Sequence, residues 1–207
     1  MSSHLDNLYK LTKKDAKRAS EVLAKAFSDG PVWNTFMKNE PNKDTKFPLI
    51  FETPIRYALK YGEVYASSQN LEGIAAWLPH DKAKMTAWGI LRSGAFRSGI
   101  RLGSKLASKM DSVFSVLDED REENLQAPYF YLSVIGVGPE YQGQGFGGQL
   151  IKKLLQQADE AGYPIYLETE TENNVLLYEK FGFKVVKKIE LPILNLPMWE
   201  MIRNSSI

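Results

Sequence analysis

The sequence predicts a single α/β (α+β) domain in which strands and helices alternate along the chain. A length of 207 residues fits one large domain, and 43% hydrophobic with 25% charged residues is an ordinary globular composition. Segments with strand character are followed by segments in which apolar residues recur at helical spacing. One of the strands runs through a loop with four glycines into a helix. We therefore treat residues 1–207 as one domain.

The composition excludes several classes of protein. The chain has no cysteine, which excludes disulfides, thiolate nucleophiles and cysteine-containing metal sites. Its two histidines, His4 and His80, are too few for a His-rich metal centre, so we expect no bound metal. A formal net charge of +1 predicts no strong overall attraction to nucleic acid or an anionic membrane, so any basic patch must be local. Residues 1–15 are polar and no later run approaches the roughly 18 apolar residues of a membrane span, so we expect a cytoplasmic protein.

The first part of the chain predicts three strands and two helices. Strands are expected at residues 8–11, 63–67 and 73–78, and helices at residues 16–27 and 46–60. Thr12 and Asp15 are available to cap the first helix, which Gly30 and Pro31 end. Gln69 and Asn70 form the turn between the second and third strands.

Residues 80–127 predict an insertion of amphipathic helices. Basic residues recur there among apolar ones, namely Lys82, Lys84, Arg92, Arg97, Arg101, Lys105 and Lys109 among Ile90, Leu91, Ile100, Leu102, Leu106 and Met110. One interpretation is a solvated helical face, and the other is a lid over a substrate or a surface for the phosphates of a coenzyme. The acidic residues 118–123 that follow predict a flexible link.

The last part of the chain predicts four strands and two helices. Strands are expected at residues 129–137, 165–168, 183–190 and 198–203, and helices at residues 148–161 and 173–181. Gly162 and Pro164 end the first of these helices.

The glycine-rich segment between strand 129–137 and helix 148–161 predicts an anion-binding loop. Its glycines leave backbone N–H groups unblocked at the positive end of a helix dipole, where a phosphate binds well. Gly143, Gly145 and Gly148 also spell GxGxxG, with Glu168 twenty residues further on, as in a dinucleotide site. Residues 138–142 separate the strand from the glycines, however, and too little chain follows for a doubly wound sheet. A nucleotide P-loop is excluded because Gly-Lys-Ser/Thr is missing, and a glycine turn without a ligand remains the structural alternative.

A longer pattern resembles a known family. Residues 137–147, VGPEYQGQGFG, resemble motif A of the GCN5-related N-acetyltransferases (GNAT), Arg/Gln-x-x-Gly-x-Gly/Ala after a strand. LET at 167–169, NN at 173–174 and YEKFGF at 178–183 resemble the family's second coenzyme motif in the same order. IAAWLP at 74–79 is most similar to puromycin N-acetyltransferase-like small-molecule enzymes. The resemblance implies a central mixed, mostly antiparallel, twisted sheet flanked by helices, with the insertion at about 80–127 preceding the coenzyme-binding strand.

The resemblance also implies acetyl-CoA as the acyl donor and assigns residues to it. The backbone of Ile135, Gly136 and Val137 would pair with the pantetheine arm, and Asn173 and Tyr178 would contact the coenzyme. The loop that would hold the pyrophosphate comprises Gln142, Gly143, Gln144, Gly145, Phe146, Gly147 and Gly148.

Two catalytic residues follow from the same resemblance. Glu168 matches the position of a catalytic glutamate in related N-terminal acetyltransferases, and Tyr178 matches the family's tyrosine acid. Glu170, Glu172 or Tyr131 could instead act through water. Glu168 could also be a structural carboxylate paired with Lys or Arg, and Tyr178 a core aromatic.

The sequence therefore predicts an enzyme that transfers an acetyl group from acetyl-CoA to the primary amine of a small molecule by direct attack in a ternary complex. A helical insertion would narrow the acceptor cleft, which favours a small acceptor. The alternatives are a protein N-terminal or lysine N-acetyltransferase and a non-catalytic acyl-CoA-binding module. We expect a monomer or homodimer with no nucleic-acid or membrane partner.

Overall fold

A computed structural model describes residues 8–206; residues 1–7, including His4, and residue 207 lie outside the described residues. Within this range the chain forms seven strands and eight α-helices. The strands are β1 (Tyr9–Lys10), β2 (Glu63–Ala66), β3 (Gly73–Pro79), β4 (Phe130–Val137), β5 (Ile165–Thr169), β6 (Lys184–Leu191) and β7 (Leu196–Arg203). The helices are α1 (Ala16–Ala26), α2 (Pro31–Met37), α3 (Lys43–Tyr61), α4 (Ala87–Ser93), α5 (Phe96–Leu102), α6 (Ser104–Asn124), α7 (Phe146–Ala161) and α8 (Glu172–Glu179).

The strands form one mixed sheet in the order β1-β2-β3-β4-β5-β7-β6. All neighbouring strands are antiparallel except β4 and β5, which α7 connects as a parallel crossover. The parallel pairing is short, because the register joins only Phe130 to Ile165 and Tyr131 to Tyr166. The predicted mixed, mostly antiparallel sheet is confirmed, and the short β4–β5 pairing creates the opening described below.

Both faces of the sheet are covered at β3, as the burial of successive side chains on this strand shows. Ile74 and Leu78 belong to a core with α1 and α3, whereas Ala75 and Trp77 belong to a second core with α7. Successive strand residues point to opposite faces, so a strand buried on both sides needs apolar residues at every position. The run IAAWL meets that requirement.

Helix α1 lies unusually close to β4, and Gly136 makes this possible. A Cβ atom at Gly136 would lie 3.0 Å from Ala26 Cβ and 3.0 Å from Leu23 Cδ2. The glycine therefore sets the separation between α1 and the strand that borders the cleft.

Several predicted boundaries differ from those observed. The sequence predicts only that Pro31 ends the first helix, but this residue also occupies the first position of the unpredicted helix α2. Proline is tolerated there because an N–H group at this position would have no acceptor within the helix. Helix α7 begins at Phe146, two residues before the predicted start. Asp15 stands at the N-cap of α1, but its carboxylate accepts a hydrogen bond from the Thr12 N–H at 2.8 Å instead of capping the helix.

The insertion is helical, as predicted, but the prediction of a flexible link at residues 118–123 is wrong. Those residues form the last turns of the 21-residue helix α6. Leu117 and Arg121 of α6 are buried, with exposed fractions of 5% and 1%. The acidic residues therefore lie on a helix whose other side is buried, and their composition alone does not indicate that buried side.

Candidate active site

A cleft opens where β4 and β5 diverge. Beyond Tyr131 and Tyr166 the two strands no longer pair, and a bulge interrupts the β3–β4 register. Ala76 pairs with Val134 and Trp77 with Leu132, so Ser133 has no partner on β3. The cleft has a volume of about 160 Å³, and its lining includes Ser133, Val134, Ile135, Leu167, Glu168, Thr169, Glu170, Asn174 and Tyr178.

The loop between β4 and α7 forms a cradle of free backbone amides. Gly143 and Gly145 have φ angles of 76° and 88°, which glycine adopts without strain. The first hydrogen bond of α7 runs from the Gln149 N–H to the Gly145 carbonyl at 3.1 Å. Among the described residues, the amides of Phe146 and the two following glycines therefore have no backbone acceptor, as expected at a helix start.

The space in front of this loop is open to a ligand. A Cβ atom at Gly143 or Gly145 would meet no atom within 4 Å. Gln142 holds the loop to the strand, because its Nε2 donates to the Val137 carbonyl at 3.3 Å. Free amides, a helix dipole and open space together fit a pyrophosphate.

Helix α8 places Tyr178 and Asn174 on the cleft. The Thr171 side chain caps the helix by accepting from the Asn174 N–H at 3.2 Å. Tyr178 is 7% exposed and packs edge-on against Phe183 at a centroid distance of 5.6 Å. Burial raises the pKa of Tyr178, and no hydrogen-bond acceptor among the described residues engages its hydroxyl.

The predicted Asn173 and the cleft-lining Asn174 have different positions on α8. Asn173 is exposed and does not line the cleft, whereas Asn174 does. Residues four apart share a helix face, so the spacing from Asn174 to Tyr178 was the available signal.

Glu168 lies in a buried cluster that links β5 to α6. Its side chain is 7% exposed, and Oε1 accepts a hydrogen bond from Arg121 at 3.0 Å. Arg121 also pairs with Asp118, and its guanidinium lies 4.2 Å from the centroid of the Tyr131 ring. Burial raises the pKa of Glu168, while the positive charge of Arg121 opposes that rise.

The cluster carries one more negative than positive charge. Arg121 supplies one cation, and Asp118 and Glu168 supply two carboxylates. Burial also raises the pKa of Asp118. A buried group of net charge −1 accepts a proton more readily than an exactly balanced pair, because protonation removes the uncompensated charge.

Sequence reasoning missed Arg121. The residue is the single cation among the acidic residues 118–123, and it contacts Glu168 across 47 positions of the chain. Only the isolated positive charge in an acidic run could have drawn attention to it.

Glu170, two residues after Glu168, binds the backbone at the start of α2. Its Oε2 accepts the Val32 N–H at 2.9 Å at the start of α2. A Cβ atom on Gly30 would lie 2.6 Å from its Oε1, so the carboxylate fits tightly against this turn. Burial raises the pKa of Glu170, and the hydrogen bond from Val32 opposes the rise.

Aromatic side chains from α2, α3 and α6 and from Phe27, the C-cap of α1, form another part of the cleft lining. The ring centroid of Trp33 lies 5.1 Å from that of Phe51 and 5.7 Å from that of Phe114. Phe27 stacks on Phe51 with a centroid distance of 5.1 Å. All four line the cleft together with Leu117 of α6. This part of the cleft lining is therefore apolar.

The parts of the insertion differ in their relation to the cleft. Helix α6 lines it through Phe114 and Leu117, whereas α4 and α5 contribute no lining residue. Helix α4 follows Pro79, which pairs with Phe130, and the glycine loop follows Val137 at the other end of β4. The interpretation of the insertion as a coenzyme-phosphate surface is therefore not supported for α4.

Two absences concern residues 8–206 alone. No helix in this range is both long and apolar enough to span a membrane. The same residues contain no group of three or more His, Asp or Glu side chains that could hold a metal ion.

Comparison with known proteins identifies the family. Residues 100–183 match the family model described as Acetyltransferase (GNAT) family. An uncharacterised N-acetyltransferase of Schizosaccharomyces pombe is 30% identical over 198 residues, which cover 92% of this chain and 80% of the relative. The chain therefore belongs to the GNAT family and is an N-acetyltransferase.

Solved structures show the same fold over nearly the whole chain. A histone acetyltransferase HPA2-related protein of Corynebacterium glutamicum superposes with a TM-score of 0.66 at 18% identity, covering 97% of each chain. Arylalkylamine N-acetyltransferase 2 of Aedes aegypti gives a TM-score of 0.63 at 14% identity, covering 95% of this chain and 97% of that one. The puromycin-like subgroup stays a prediction.

Proposed function

We propose that this enzyme transfers an acetyl group from acetyl-CoA to the primary amine of a small molecule by direct attack in a ternary complex. The observation that carries the proposal is the cleft between β4 and β5, which joins a donor side to a closed acceptor side. Its donor side has Ile135 and Tyr178, and the amide cradle follows the end of the same strand, β4. Its acceptor side has aromatic walls and the carboxylates of Glu168 and Glu170.

In this proposal the donor is held mainly by the backbone. The unpaired amides at the start of α7 bind the pyrophosphate, and the edge of β4 freed by the divergence of β5 pairs with the amides of the pantetheine arm. Ile135 lies on that edge within the cleft. Gly136 can contribute only its backbone to this pairing, and the position that a Cβ atom would take on it lies against α1.

Glu168 takes up the proton that the attacking amine must lose. An alkylamine with a pKa of ~10.4 is protonated at neutral pH, and its deprotonation costs about 4.6 kcal/mol at pH 7. Since the cluster of Glu168, Asp118 and Arg121 has a net charge of −1, one proton on Glu168 leaves the Arg121–Asp118 pair balanced. The Arg121 contact thus fixes the carboxylate without removing its capacity as a base.

Tyr178 donates a hydrogen bond to the sulfur as the carbon–sulfur bond breaks. Full proton transfer from an ordinary phenol to a thiolate of pKa ~8.5 is uphill by about 2 kcal/mol, and burial raises the Tyr178 pKa further. A hydrogen bond from the otherwise unengaged hydroxyl stabilises the developing charge without complete transfer.

The acceptor is a small molecule because α6 closes the cleft. Phe114 and Leu117 stand beside Trp33 and Phe51, and the cleft volume of about 160 Å³ leaves little room for a polypeptide to cross. Protein N-terminal or lysine acetylation is the competing function.

The test is the release of free coenzyme thiol from acetyl-CoA over a panel of aromatic amines, polyamines, amino acids and peptides, expressed as kcat/KM. We expect a small amine to be acetylated at least ~10²-fold more efficiently than any peptide. A preference for peptides would overturn the small-molecule assignment. Binding of acetyl-CoA without turnover of any acceptor would favour the binding module instead.

Two conservative variants test the catalytic roles with the preferred amine. Glu168→Gln and Tyr178→Phe should each lower kcat by ~10²-fold or more while acetyl-CoA binding, measured by calorimetry, stays close to that of the wild type. Glu170→Gln is the matched comparison, because this carboxylate also lines the cleft. A larger loss of kcat in Glu170→Gln than in Glu168→Gln would transfer the base role to Glu170, and losses within twofold would remove both assignments.

A further inference from the structure

Helices α4 and α5 bury several small residues and expose several large apolar ones. On α4, Gly89 is buried, whereas Trp88 and Leu91 are 64% and 48% exposed. On α5, Ser98 is 2% exposed, whereas Ile100 is 74% exposed. An amphipathic helix of a globular protein normally directs its largest apolar side chains inward. Here Trp88, Leu91 and Ile100 face outward instead.

Contacts with α3 fix this orientation. A Cβ atom on Gly89 would lie 2.7 Å from the Tyr57 ring, so α4 approaches α3 too closely to place a larger residue there. Lys60 of α3 donates to the Arg92 carbonyl at 2.9 Å. Leu102, at 5% exposed, anchors the end of α5 in the core. The outer sides of both helices therefore face away from α3.

The exposed side is also strongly basic. Residues 82–110 contain seven Lys and Arg residues and no Asp or Glu, in a chain whose net charge is only +1. In the described part of the chain, no carboxylate pairs with the exposed Arg92, Arg97, Arg101 or Lys105. We call the outer side the basic apolar face; it comprises Trp88, Leu91, Arg92, Phe96, Arg97, Ile100 and Arg101.

We propose that the basic apolar face binds the surface of an anionic lipid bilayer, with α4 and α5 lying in the plane of the interface. The three unpaired arginines, Arg92, Arg97 and Arg101, meet anionic headgroups, and the indole of Trp88 and the side chains of Leu91 and Ile100 enter the boundary of the acyl region. The guanidiniums of Arg92 and Arg97 lie over the rings of Trp88 and Phe96, at 5.6 and 5.8 Å, so charge and apolar surface occupy one area.

Two other occupants fit the chemistry less well. A second copy placed on this face by two-fold symmetry would bring unpaired cations against identical cations. A nucleic acid would satisfy the charges, but aliphatic side chains as exposed as Ile100 and Leu91 would gain nothing from phosphates or sugars. An anionic bilayer offers headgroups to the cations and an apolar region to the exposed aliphatic side chains.

The test is co-sedimentation of the full chain with vesicles of phosphatidylcholine alone and of equal parts phosphatidylcholine and phosphatidylglycerol. We expect binding to the mixed vesicles only, weakened by added salt. Trp88→Ser with Ile100→Ser, and separately Arg97→Glu with Arg101→Glu, should each lower the vesicle-bound fraction by at least ~10-fold. Lys13→Glu with Lys14→Glu, at exposed positions outside the insertion, makes the same charge change and should bind like the wild type.

Each outcome decides the proposal. Equal binding to neutral vesicles, absence of binding, or equal losses in the Lys13 and Lys14 control would overturn it. A concentration-dependent dimer lost in the Trp88 and Ile100 variant would identify a second copy as the occupant, and tighter binding to duplex DNA than to mixed vesicles would identify nucleic acid. Acetyl-CoA affinity measured in every variant shows whether the fold is intact, because none of these residues lines the cleft.

Discussion

Glu200 on β7 provides a sensitive test of the buried charges behind the cleft. It is 1% exposed, lies directly across from Glu168 in the β5–β7 register, and one of its carboxylate oxygens has no hydrogen-bond partner among the described residues. Burial, together with a hydrogen bond to Asp120, raises the pKa of Glu200 from 4.5 to about 7. Its ionised form is therefore about 3 kcal/mol less favourable in the folded protein than in the unfolded chain.

The pH dependence follows from the direction of this shift. Between pH 4.5 and about 7 the folded protein retains the Glu200 proton while the unfolded chain has lost it, so stability falls as pH rises through this range. Glu200→Gln removes the ionisation and keeps an amide able to donate to Asp120. We expect the substitution to raise the free energy of unfolding by ~2–3 kcal/mol near pH 8 and by under ~1 kcal/mol near pH 5.

Urea unfolding of the wild type and the variant at both pH values measures this difference. Glu190→Gln, an exposed position on the neighbouring β6, is the matched control and should change stability by under ~0.5 kcal/mol at either pH. An identical effect of Glu200→Gln at both pH values, or a net destabilisation near pH 8, would refute the reasoning that the fold holds an unfavourable charge at this position.

Further predictions concern the cluster and the glycines. Asp118→Asn should move the acid limb of the kcat/KM profile to lower pH, since the Asp118 charge raises the pKa of Glu168; a profile that stays in place would contradict the base role. Gly136→Ala should lower the free energy of unfolding by ~1–3 kcal/mol in urea, because its Cβ would lie 3.0 Å from α1 side chains. Gly145→Ala, with φ at 88°, should weaken acetyl-CoA binding in calorimetry through ~1 kcal/mol or more of backbone strain. Gly99→Ala, where a Cβ meets nothing within 4 Å inside α5, should leave that binding unchanged.

Local patterns in the sequence predicted most of the secondary structure and the position of the glycine loop between β4 and α7. The glycines at 143 and 145 have positive φ, and the run IAAWL is buried on both sides of the sheet, because both requirements act on a few neighbouring residues. The errors arose where one residue serves two elements, as Pro31 does, or where composition hid an inward-facing side, as in residues 118–123. The fold and the conformation of the glycine loop could therefore be predicted from local chemistry.

The environment of Glu168 could not be predicted from local sequence patterns. Its cation comes from 47 positions away on α6, and its cross-strand neighbour Glu200 comes from another strand. Neither contact leaves a pattern in one sequence, because the pairing depends on how α6 packs against the far half of the sheet. Sequence spacing could identify Glu168 as a candidate base but could not show what controls its proton.

The two parts of the insertion should respond independently to substitution. Helix α6 faces inward with Phe114, Leu117 and Arg121, so changes there alter the aromatic lining of the cleft and the charge of the cluster. Helices α4 and α5 are anchored on α3 and contribute nothing to the cleft lining. Substitutions on the basic apolar face should therefore change where the protein binds and leave kcat unchanged, whereas substitutions on the inner side of α6 should change kcat and the pH profile. An insertion divided in this way could vary its surface contacts without disturbing acetyl transfer.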